Sequence, residues 1–128
     1  MSLLVWVALG GALGAVARYG LSGWVQSGSA GTFPWGTLFV NVSGSLLIGA
    51  LAALIPEDGR LLFVPDARAL LMVGVCGGFT TFSSFSMEVI NLMRNDAWAP
   101  AFGYIVASVI LCLAATAAAF FAITALQR

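Results

Sequence analysis

Lysine and histidine are absent from this sequence, and charge of either sign is scarce: five arginines and five acidic residues make up 8% of the chain and cancel. Without a basic face there is no electrostatic footprint for nucleic acid. Without histidine the usual proton relay and metal ligand of neutral pH are missing. Cysteine occurs only at Cys76 and Cys112, each inside an apolar run, which reads as two small buried side chains rather than a disulfide or a metal pair. The sequence shows no nucleophile–base pair, metal-ligand set or phosphate loop, so no enzyme is expected.

What is abundant is apolar surface: 61% of the 128 residues are hydrophobic, and the mean hydropathy is +1.04. A soluble domain is about a quarter charged and under half apolar, and a small one leaves much of its surface in water. Lipid is therefore the expected solvent. A membrane-crossing helix needs about 20 mostly apolar residues. Four stretches qualify, at about 3–24, 35–55, 69–93 and 98–126, and they predict a single four-helix transmembrane domain over 1–128. The first is too long for the apolar core of a signal peptide and contains an arginine, so it reads as a retained helix. Pro56-Glu57-Asp58-Gly59-Arg60 marks a polar turn, and the Gly/Ser-rich stretch 27–32 a loop. Trp24, Trp35 and Trp98 fall near span ends, at the depth that suits indole rings.

With four alternating spans, Arg60, Arg68 and Arg128 lie on one side and Arg18 and Arg94 on the other. Orientation normally follows a clear Lys/Arg excess in the cytoplasmic loops. Three against two gives none. Either the chain inserts both ways and pairs as an antiparallel homodimer, or helix hydrophobicity or partners fix one orientation. Small residues at four-residue spacing (Gly10 and Gly14, Ser45 and Gly49, Gly74 and Gly78, then Ala114, Ala118 and Ala122) predict close helix packing.

Polar groups inside such helices mark interfaces or pathways. Thr37, Asn41 and Ser45 share one face of the second span. The third carries Gly74-Val75-Cys76-Gly77-Gly78-Phe79-Thr80-Thr81-Phe82-Ser83-Ser84-Phe85, a poor mid-membrane helix. Unwound backbone at that depth must be buried in protein or line a polar cavity. The expectation is a break near Gly77 to Thr81 with carbonyls freed for a cation. Phe79, Phe82 and Phe85 follow at three-residue spacing, and Glu88 is either paired with a donor or snorkelling. The fourth span holds a stripe of Tyr104, Ser108, Cys112 and Thr116. Arg18 is read as snorkelling or as a positive charge at a vestibule. A lining rich in donors with a single carboxylate suits an anion better than a cation.

Gly10-Gly11 through Gly14-Ala15 to Arg18-Tyr19, then Gly36-Thr37-Leu38-Phe39-Val40-Asn41, then Gly77 to Phe85 resemble the three signature stretches of the Fluc (CrcB-type) fluoride channels. The likeness covers the whole chain in length, span number and motif order. It implies an antiparallel, dual-topology homodimer of four-helix subunits in the bacterial cytoplasmic (inner) membrane, with two pores exporting fluoride passively. It also implies a structural Na⁺ at the dimer interface, held by the backbone carbonyls of Gly77 and Thr80. Asn41, Phe82, Phe85, Tyr104 and Ser108 map to pore positions. Thr37, Ser84 and Cys112 are counted with them, and Arg18 and Glu88 match charged positions. Ser84 stands where threonine is common and keeps the hydroxyl. Cys112 brings a weak thiol donor where serine or threonine is expected. The expected partners are thus fluoride, the lipid bilayer and a second copy of the chain, and no nucleic acid.

Three other readings are weighed. A small multidrug transporter needs a carboxylate in its first helix, and residues 3–24 contain no Asp or Glu. An assembly subunit would use the polar stripes only as glue and show no flux. A cation channel would use the carbonyls of the break, against which stands the scarcity of acidic residues.

Overall fold

A computed structural model describes residues 2–55 and 64–128. The turn at Pro56-Glu57-Asp58-Gly59-Arg60, and Arg60's place in the charge balance, lie outside the described residues. The described residues are helical and contain no strand, and four helices are long and apolar enough to cross a membrane.

Helix α1, Leu3–Ser27, starts where the Ser2 hydroxyl accepts from the Leu4 N–H, satisfying one of the donors that a helix N-terminus leaves open. It continues three residues beyond the expected end. Helix α2, Trp35–Leu54, follows Pro34, which offers no side-chain cap. Gln26 fills that role from α1. Its Nε2 donates to the Phe33 carbonyl and its Oε1 accepts from the Gly36 N–H, each at 3.1 Å. Gly31 takes φ +85° in the loop between them, a left-handed conformation that glycine adopts without strain.

The third span, Pro65–Arg94, is composite. Helix α3 (Val64–Ala67) leads into a wide π-helical segment, Arg68–Cys76, then a short turn α4 (Gly77–Phe79), and after an interruption helix α5 (Phe82–Arg94). The glycines do not form the interruption. Gly74 and Gly78 press against the backbone of Gly10 and Gly11 on α1, and Gly14 faces the Val75 carbonyl and the Phe79 N–H, so a Cβ at any of them would strike backbone. The break falls instead on Thr80 (φ −91°, ψ 155°) and Thr81 (φ −149°, ψ 114°), both extended. Helix α6, Trp98–Leu126, packs along α2, where Gly49 lies against the Thr116 backbone and the Thr116 hydroxyl donates to the Ser45 carbonyl at 2.9 Å.

A small core forms between α2, α5 and α6 from Leu38, Phe85, Val89, Leu92, Ala101 and Tyr104. Large apolar side chains such as Leu13, Val16, Leu113 and Phe121 point outward, fully or mostly exposed. In water such a surface would drive aggregation; in lipid it is matched to its solvent.

Candidate functional site

Three groups of side chains meet around the interrupted third span. The first holds the break itself. Asn41 on α2 reaches Thr81 with both ends of its amide: Nδ2 donates to the Thr81 carbonyl at 3.0 Å, and Oδ1 accepts from the Thr81 N–H at 2.7 Å. Backbone groups buried away from water must be paired, and Asn41 pairs two of them at once, as a neighbouring strand would. One turn along α2, Gly44 leaves room for the Thr80 methyl and the Phe79 ring. On the other flank the Arg18 Nε donates to the Gly78 carbonyl at 3.0 Å. The Thr81 hydroxyl accepts from the Ser84 N–H at 3.2 Å and so caps α5; it also donates to the Ser84 hydroxyl at 3.2 Å.

The second group surrounds Glu88. Its Oε1 accepts from the Thr37 hydroxyl at 2.6 Å and its Oε2 from the Tyr104 hydroxyl at 2.7 Å. The carboxylate is therefore paired with two donors from two other helices. These two hydrogen bonds tie α2, α5 and α6 together. Aromatic rings run beside this group, with Phe82–Phe85 centroids at 5.2 Å, Phe85–Tyr104 at 5.0 Å and Tyr104–Phe33 at 5.3 Å.

The third group lines a cavity of about 650 Å³ between α2, the third span and α6. Asn41, Phe82, Phe85, Ser108 and Cys112 all face it, together with the break residues Gly77, Thr80 and Thr81, the guanidinium-bearing Arg68, and an apolar remainder that includes Met72 and Leu113. The Ser108 hydroxyl is buried and has no hydrogen-bond partner. A buried hydroxyl without a partner costs about 1–3 kcal/mol, and in native proteins such a group usually signals a ligand or water.

Seven of the sequence-derived candidates thus share one cavity: Asn41, Phe82, Phe85, Ser108, Cys112, Gly77 and Thr80. Thr37, Tyr104 and Glu88 form the adjoining triad, joined to the cavity through Phe85. Ser84 is turned to the Thr81 hydroxyl, and Arg18 to the back of the break. The arginine that lines the cavity is Arg68, whose Nη1 donates to the Ile55 carbonyl at 3.1 Å. Sequence reasoning assigned Arg68 only to the charge balance, and gave no role to Gln26 or to the Thr81 side chain. The signal for Thr81 was present, since a threonine two or three residues before Ser83-Ser84 at a helix start is a natural cap.

This arrangement defines a class: a multi-pass helical membrane protein with a donor-bearing cavity beside a broken helix and, among the described residues, no cluster of three or more His, Cys, Asp or Glu that could hold a metal. The family model described as CrcB-like protein, Camphor Resistance (CrcB), matches residues 5–120. Proteins named Fluoride-specific ion channel FluC are similar along nearly their full lengths. That of Opitutus terrae is 53% identical over 115 residues, covering 90% of this chain and 87% of the relative. That of Methylocella silvestris is 48% identical over 111 residues, covering 87% and 85%, and that of Paramagnetospirillum magneticum 48% over 122 residues, covering 95% of each. The chain belongs to the CrcB-like family.

Proposed function

We propose that this protein is a fluoride channel, conducting the ion passively through two pores of an antiparallel homodimer in the bacterial cytoplasmic membrane and so exporting cytoplasmic fluoride. The observation that carries the reading is the unpartnered Ser108 hydroxyl in the same cavity as Asn41, Phe82, Phe85 and Cys112. The names of the relatives point to fluoride as the ion.

Fluoride is small and strongly hydrated, and a selective pore must replace its water with ligands at close range. Ser108 has its hydroxyl proton to give. Asn41 commits one amide hydrogen to Thr81, and its second remains for the ion. Phe82 and Phe85 border the cavity, and the edge of an aromatic ring is the positive part of its quadrupole. Cys112 extends the stripe with a weaker donor. Thr37, Tyr104 and Ser84 stand behind this first line, and Arg18 supplies positive charge beside the break.

Gly77 and Thr80 suit a structural Na⁺ at the dimer interface. Backbone carbonyls of unwound membrane helices coordinate Na⁺ in secondary transporters. Both residues border the cavity, and their carbonyls are not closed into a continuous helix. When bound, the cation adds positive potential close to the fluoride path.

The test is fluoride efflux from liposomes carrying the purified protein, followed with a fluoride electrode and with chloride as control. Rapid fluoride loss without a proton gradient, chloride being retained, is the expected result. No loss from verified dimers would discard the channel and favour an assembly subunit.

A further inference from the structure

We infer that Asn41 and the Thr81 hydroxyl are positioning residues that build the carbonyl pair of the break, by acting as decoy acceptors for the two N–H groups that would otherwise consume it. In an unbroken α-helix each N–H bonds the carbonyl four residues back. The Thr81 N–H would then close on the Gly77 carbonyl, and the Ser84 N–H on the Thr80 carbonyl. Neither does so. The Thr81 N–H goes to Asn41 Oδ1 at 2.7 Å, and the Ser84 N–H to Thr81 Oγ1 at 3.2 Å. Gly77 and Thr80 are thus among the carbonyls that lose their helical donors at the break, and both residues border the cavity.

Neighbouring bonds keep the diversion local. The Thr80 N–H still bonds the Cys76 carbonyl at 3.0 Å, and the Thr80 hydroxyl adds a second bond to the same oxygen at 2.9 Å, so helical pairing runs intact up to the residue before the break. The Gly78 carbonyl is taken by Arg18 at 3.0 Å. Beyond Thr81 the helix resumes at Phe82. Of the carbonyls around the break, those of Cys76 and Gly78 are occupied, while those of Gly77, Phe79 and Thr80 lose their ordinary donors. Of these three, Gly77 and Thr80 border the cavity. Asn41 and Thr81 touch no cation in this account; they act through the carbonyls.

The cation part of this inference rests on the Na⁺ reading above, whereas the decoy geometry stands without it. Two measurements keep them apart. The first is the Na⁺ dependence of thermal unfolding of the purified protein, with choline replacing Na⁺. Thr81→Val keeps the shape and removes the acceptor, and Thr81→Ser restores it. Groups that orient metal ligands typically change affinity by about 10–100-fold. Thr81→Val and Asn41→Leu are therefore expected to need about tenfold more Na⁺ for the same stabilisation, and Thr81→Ser about the wild-type concentration. A merely structural role would lower the melting temperature equally with and without Na⁺, and that outcome would overturn the inference. The second is isotope-edited infrared spectroscopy in choline, with a ¹³C=¹⁸O label at Gly77 or Thr80. The decoy account expects both bands above that of a helical reference such as Ala107, with the Gly77 band falling to the helical position in Asn41→Leu. Bands at the helical position in the wild type would overturn it. Wild-type stability indifferent to Na⁺ would sink the Na⁺ reading and leave the infrared result to decide the decoys.

Discussion

The hydroxyl of Tyr104 on α6 donates to Glu88 Oε2 on α5 at 2.7 Å, while Thr37 on α2 donates to the other oxygen at 2.6 Å. Tyr104 is fully buried and Thr37 nearly so, so neither bond is competed away by water. The triad is a polar tie among three helices. A hydrogen bond contributes about 0.5–1.5 kcal/mol net, and a buried partner left without one costs about 1–3 kcal/mol. Tyr104→Phe should therefore lower unfolding stability by about 2 kcal/mol and Thr37→Val by a similar amount. The double variant should lose less than the sum, because one carboxylate serves both. Chemical or thermal unfolding of the purified protein in detergent measures this, and strict additivity would mean that the two bonds are independent.

Phe82 and Phe85 are adjacent in the cavity but differ in burial. Phe82 is 77% exposed and Phe85 only 7%, the latter wedged edge-on against Tyr104 at 5.0 Å. Phe82→Ile should leave stability within about 0.5 kcal/mol, as exposed substitutions do, and reduce fluoride flux strongly. Phe85→Ile should reduce flux and also cost about 1–2 kcal/mol through lost ring packing. Paired flux and unfolding measurements separate the two. Wild-type flux in both variants would remove the aromatic rings from the conduction path.

Much of this was legible in the sequence because membrane helices announce themselves by length and apolarity. All four spans appear within a few residues of where the composition puts them, apart from the start of the third, whose helix begins at Val64 rather than Ala69. Pairing was also readable in part. Gly10, Gly14, Gly74 and Gly78 were expected to let helices approach, and they do so against one another. Other features escaped because they depend on partners distant in sequence. The cap signal at Thr81 is local, but nothing local says that the glycine turn before it stays helical. That outcome follows from α1, which holds the glycine turn helical by close contact, and from Asn41, forty residues away, which takes the Thr81 backbone. The sequence places Arg18 inside the first span and Arg68 in the loop before the third. Only the packing shows that one binds the back of the break and the other borders the cavity.

The glycine contacts make a sharp comparison available within one helix. A Cβ at Gly14 would fall on the Val75 carbonyl oxygen and crowd the Phe79 N–H, while one at Gly11 would meet nothing within 4 Å. Backbone cannot step aside as a side-chain tip can, so Gly14→Ala must push α1 off the third span, at a cost of about 1–3 kcal/mol or more. Gly11→Ala should be neutral, or stabilising by up to about 1 kcal/mol through helix propensity. Melting temperatures of the two variants check this directly, and equal effects would contradict the contact between α1 and α4.

The arginine balance offers a test of the antiparallel pairing. Ala30 and Thr32 sit exposed in the loop between α1 and α2, and lysines placed there should hold that loop in the cytoplasm. Lysines at Ser2 and Gln127, on the opposite side of an even-numbered bundle, should lock the other orientation. If conduction needs one subunit of each orientation, the variant A30K/T32K alone should fail to protect fluoride-sensitive cells, and so should S2K/Q127K. Co-expression of the two should restore protection, because each supplies the orientation that the other lacks. The substituted residues are exposed and outside the cavity, so the lysines themselves leave the lining unchanged. Full protection by either locked variant alone would show that one orientation suffices, and the antiparallel dimer would have to be given up.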